Sequence, residues 1–136
     1  MDYSFLLALH SGWRYIVLAM LVISIVLLLV GWLTGGKWNK LVNGFSMFTP
    51  IAIDLQLIIG LILWFTRPDI MSASRWGGNV LEHFVTMLIV VVLGHVAAVR
   101  IKRALDDRSK FQNGVIYFGL TGVIAALGVA RVTGVL

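Results

Sequence analysis

Four long apolar stretches dominate the chain, and the polar residues collect in the three segments between them. The apolar stretches cover residues 5–33, 45–65, 79–101 and 115–135. Each reaches the about 20 residues an α-helix needs to cross the hydrocarbon layer of a bilayer. The first is longer than that, so it tilts or projects from the membrane. "TGGKWNK" (Thr34 to Lys40) ends it with the glycines and lysines expected past a helix C-terminus. "TRPDIMSASRWGGN" (Thr66 to Asn79) is a loop punctuated by proline and glycine, and "RIKRALDDRSK" (Arg100 to Lys110) joins spans three and four. In lipid a helix must pair its own backbone groups, so the pattern predicts an all-α, integral membrane, four-helix up-down bundle. No repeat or linker divides it, and residues 1–136 form one domain.

Composition supports that pattern. The chain is 60% hydrophobic and 12% charged, against roughly half and a quarter in soluble domains. The net charge of +5 reads as cytoplasmic loops, not nucleic-acid binding. Lys37, Lys40, Arg100, Lys102, Arg103, Arg108 and Lys110 lie on one side; Arg67, Arg75 and Arg131 lie on the other. Positive charge is retained inside, which predicts both termini on the periplasmic side of a bacterial cytoplasmic membrane. No basic segment precedes the first span and no small-residue cleavage site follows it, which argues against a removable signal peptide. The absence of cysteine excludes thiolate catalysis, iron–sulfur clusters and covalent c-type haem attachment.

The polar residues inside the spans sort by depth. His10 lies five residues into span one and His83 four into span three, which puts both roughly 6–8 Å below the outer ends of their helices. Arg14 is one turn below His10 on the same side. Glu82 is beside His83 but turned about 100° from it. His95 and Asp54 form a second, inner layer. Ionisable groups inside a membrane face the bundle and find partners, so Arg14 with Glu82, and Asp54 with His95, are expected structural pairs. Trp13, Tyr15, Trp32, Trp38 and Trp76 fit the interfacial aromatic belt. Gly122, Ala126 and Ala130, spaced by four, read as a close-packing stripe, and Gly60 and Gly94 as packing positions.

Two histidines at equal depth on two helices of a bundle are what a membrane b-type haem needs, one imidazole from each side of the iron. Arg14 then meets a propionate or orients Glu82. The same pair is also suited to a quinone carbonyl, to a metal, or to bonding each other. A second haem at His95 is disfavoured: twelve residues separate it from His83, about 120° around the helix.

"LHSGWRYIVL" (Leu9 to Leu18), "DLQLIIGLILW" (Asp54 to Trp64) and "EHFVTMLIVVVLGH" (Glu82 to His95) resemble small bacterial four-helix membrane proteins of the cytochrome b-like kind. The resemblance covers the whole chain and implies a haem-associated or respiratory-chain subunit whose histidines are His10, His83 and His95. The leading expectation is a haem-b electron-transfer subunit of a quinol-linked respiratory or photosynthetic complex, working with other membrane subunits or as a homo-oligomer. The competing expectation is a non-catalytic accessory subunit, whose polar layers are structural. A small oligomeric transporter or channel comes third, because no span is visibly broken to form a substrate site. An isolated enzyme is not expected: no nucleophile–base arrangement is readable.

Overall fold

The structure, a computed structural model, describes residues 2–67 and 78–136. Arg75 and Trp76, used above for topology and the aromatic belt, lie outside the described residues. The four expected helices form: α1 Tyr3–Thr34, α2 Lys40–Phe65, α3 Gly78–Arg103 and α4 Asp107–Val132. All four are long and apolar enough to cross a membrane. Each packs on its neighbour in sequence and α4 closes on α1, so α1 faces α3 across the diagonal. The α2–α3 pair is the least closely packed of the four neighbours.

All four helices begin before their apolar runs, α2 and α4 by five and eight residues. Asn39 caps α2 by accepting the Val42 N–H at 3.0 Å, and Asp106 caps α4 by accepting the Ser109 N–H at 2.7 Å. Each cap satisfies a backbone donor that the first turn leaves unpaired. Hydropathy marks the lipid-facing length, whereas the caps mark where the helix starts. At its other end α1 stops at Gly35, whose φ of 64° is the left-handed conformation that favours glycine. There the Gly36 N–H reaches the Gly31 carbonyl at 2.9 Å.

The α1–α2 turn is tied to α4. The Trp38 N–H donates to Asp107 Oδ2 at 3.1 Å, and the Trp38 ring lies 5.2 Å from that of Phe111. Phe111 is buried against Gly31, where a Cβ would lie 2.2 Å from its ring. Lipid offers no hydrophobic drive between helices, so close packing over small residues must hold them. Gly114 against Leu28 and Gly128 against Met87 do this on α4, where a Cβ would approach within 2.7 Å and 2.6 Å. The buried face of α4 is Gly114, Phe118, Thr121, Ala125 and Gly128. Of the expected Gly122–Ala126–Ala130 stripe, Gly122 packs closely, with a Cβ there meeting Ile25 at 2.9 Å, whereas Ala126 is exposed.

Pro50 sits inside α2, where it cannot donate to the carbonyl four residues earlier. Buried polar ties brace the helix around it. The Ser24 and Thr49 hydroxyls are 2.9 Å apart, and Trp13 Nε1 donates to the Ala52 carbonyl at 2.9 Å. Trp13 is thus a packed, hydrogen-bonded residue between α1 and α2 and not a member of an interfacial belt.

Candidate functional site

The half of the bundle nearest the termini holds the site. The His10 ring from α1 meets the His83 ring from α3 across the diagonal, with centroids 6.1 Å apart and planes at 88°. The two helices run in the same direction, so residues a similar distance below their starts arrive at one level. The third contributor is α2. A Cβ on Gly60 would lie 2.9 Å from Cε1 of His10, so the imidazole is seated directly on the α2 backbone. One turn earlier, Gln56 Nε2 donates to the His10 carbonyl at 3.0 Å and fixes α1 against α2 at this level.

Four polar atoms in this group are buried with no hydrogen-bond partner: Nδ1 of His10, Nδ1 of His83, Nε of Arg14 and Oε1 of Gln56. Buried polar groups in proteins are nearly always paired. A cluster of four orphans calls for something further, water or ligand, to satisfy it. All four residues line one cavity of about 400 Å³, within the roughly 300–1,000 Å³ of ligand-binding pockets. Its other walls are largely apolar, among them Leu7, Leu57, Phe84, Met87 and Val90. Along α1 it extends from Tyr3 to Leu18, roughly 22 Å at 1.5 Å per residue. An elongated apolar slot with one polar cluster is shaped for a large, mostly apolar molecule held by a few directed contacts.

Two imidazoles are the donor set of a b-type haem. Imidazole–metal bonds of roughly 2.0–2.1 Å on both sides of one ion place the ring centroids roughly 6–6.5 Å apart, against 6.1 Å observed. Neither Nδ1 has the protein acceptor that usually orients a ligating imidazole; the Gly60 seat constrains the His10 ring by packing instead. A bare ion finds less: among the described residues no group of three or more His, Cys, Asp or Glu side chains converges.

The expected Arg14–Glu82 pair is replaced by another. Arg131 Nε and Nη2 donate to the two Glu82 carboxylate oxygens at 2.8 and 3.0 Å. Glu82 is turned about 100° from His83, and that rotation carries it towards α4 and away from the core. Arg14 instead places its guanidinium 5.0 Å from the Tyr15 ring centroid and lines the cavity.

His95 and Asp54 do meet: His95 Nε2 lies 2.8 and 2.9 Å from the two carboxylate oxygens. The pair sits on the outside of the bundle, however, with side chains 52% and 36% exposed respectively. The inward face of α3 passes through Val90 and Ala97, and His95 projects away from it.

Three site residues were not assigned by sequence reasoning. Gln56 was legible only as part of the "DLQ" motif, two residues and about 200° round the helix from Asp54. Its sequence context marks Gly60 only as a packing position. Arg131 entered only as a loop charge, although it stands at the same end of the bundle as Glu82.

Fold and site together define a membrane-spanning four-helix bundle with a polar, partly unsatisfied cluster facing an internal apolar cavity. Comparison with protein-family models, curated proteins and solved structures gives no match.

Proposed function

We propose that this chain is a multi-pass membrane electron-transfer subunit that holds haem b between His10 and His83. One observation carries the reading: two imidazoles from diagonal helices stand 6.1 Å apart beside a cavity of about 400 Å³. When bound, haem b supplies a one-electron iron couple whose potential the surroundings tune. The protein's part is placement. His10 and His83 would hold the iron, one imidazole from each helix, and a donor set of two imidazoles suits one-electron transfer. Arg14 supplies a cation inside the cavity for a propionate, in an environment where an unpaired carboxylate would be costly. Gly60 and Gln56 hold His10 at its level. Resemblance to cytochrome b-like membrane proteins adds to this reading. A quinone carbonyl bonded by the same polar cluster is the second reading, favoured by the length of the apolar slot.

The test is spectroscopic. Protein purified from haem-replete cells should show a redox-sensitive Soret band of low-spin, six-coordinate haem. His10→Ala and His83→Ala should each lose it, while His95→Ala keeps it. A spectrum unchanged in His10→Ala would sink the assignment; colourless wild-type protein that retains a quinone would favour the second reading.

A further inference from the structure

The Asp54–His95 pair stands where a lone bundle should not place it. It bridges α2 and α3 on their outer surface, 52% and 36% exposed on the His and Asp sides, within helices long enough to span the bilayer. Its neighbours on that surface are all apolar and open: Ile51 and Ile58 on α2 are 48% and 51% exposed, and Val92 and Val99 on α3 are 61% and 44% exposed. Each lies one turn from Asp54 or His95, so the pair is a polar island in the middle of an apolar face. Ionisable groups at this depth are costly against lipid and are normally turned towards protein or an aqueous cavity. Polar side chains that cross between membrane helices serve to hold those helices together.

We infer that this α2–α3 face is the contact surface for a second copy of the same chain, related by a two-fold axis along the membrane normal. The pair is complementary to itself. A two-fold operation sets α2 of one copy opposite α3 of the other without changing depth, so Asp54 of each faces His95 of its mate. The existing bond uses Nε2 of His95 alone, which leaves Nδ1 for a second carboxylate. Two acids and two imidazoles then satisfy one another away from lipid, and no outside subunit need bring a matching polar residue. The proposal is independent of what the cavity holds, because neither Asp54 nor His95 lines it.

The chain has no cysteine, so site-directed cross-linking reads cleanly. Ile58 is four residues outward of Asp54 and Val92 three outward of His95, which puts them within about 1.5 Å of the same depth. Differently tagged Ile58→Cys and Val92→Cys chains, co-expressed and mildly oxidised in native membranes, should form a mixed disulfide. A control couple on the opposite face, Val22→Cys with Val123→Cys, should stay at background. Adding Asp54→Asn and His95→Gln to the first couple should remove most of the cross-link; circular dichroism checks that the helices persist, and Asp54→Asn alone is the milder variant if they do not. Cross-linking of the control couple instead, a first couple that stays monomeric, or disulfides joining the Ile58→Cys chain to a different protein would each overturn the assignment.

Discussion

Replacing Gly60 by alanine separates the seating of His10 from the general stability of the bundle. The new Cβ would lie 2.9 Å from Cε1, 3.4 Å from Nδ1 and 3.7 Å from Nε2 of the imidazole. Ordinary contact begins at 3.4 Å, so the ring must retreat by about 0.5 Å. Overpacking a filled site costs typically about 1–3 kcal/mol, while alanine in a helix gains roughly 0.5–1 kcal/mol over glycine. The ring borders the cavity and has room to give way, which sets the overpacking cost at its low end and the net loss at about 0–0.5 kcal/mol. The effect on the site is larger than that on the fold, because a ligand sphere tolerates displacement of only about 0.5 Å. Gly119→Ala is the control, since nothing lies within 4 Å of the Cβ it adds, and it should be neutral or slightly stabilising. Denaturation in detergent micelles measures the first quantity, and the visible spectrum of protein purified from haem-replete cells measures the second. Gly60→Ala indistinguishable from Gly119→Ala in both assays would refute the seating of His10 on α2.

Gly31→Ala drives a Cβ to 2.2 Å from the ring of Phe111, which is 1% exposed and has no cavity to enter; thermal unfolding should report a loss of about 2–3 kcal/mol. Asp54→Asn with His95→Gln should show coupling of at least about 0.5 kcal/mol in a double-mutant cycle, and strictly additive losses would show the residues independent. Accepting the Ser109 backbone N–H holds the Asp106 carboxyl below its ordinary pKa of 3.8. A depressed folded pKa gives stability that is present above that value and lost as pH falls through the folded one. Protection factors of the amides in the first turn of α4 should therefore fall at low pH, and Asp106→Ala should show the lowered protection at neutral pH. A C-terminal reporter active only in the cytoplasm should be silent, and a strong signal would overturn the charge-based orientation.

Sequence alone determined the class of fold. Four uninterrupted apolar runs admit only helices in lipid, because each backbone amide must be paired within its own segment. Depth was equally legible: a fixed rise per residue from the helix ends put His10 with His83 and Asp54 with His95, and the structure brings both couples together. Rotation about the helix axis was not legible. An apolar run in a membrane has no polar outer face to reveal which side turns inward, since lipid and core accept the same side chains. That is why Glu82 finds Arg131 and not Arg14, why the small face of α4 runs through Gly128 and not Ala126, and why His95 and Asp54 meet on the outside of the bundle. Azimuth is decided by how side chains fit against facing backbones, His10 on Gly60 and Phe111 on Gly31, and such fits exist only once all four helices are in place.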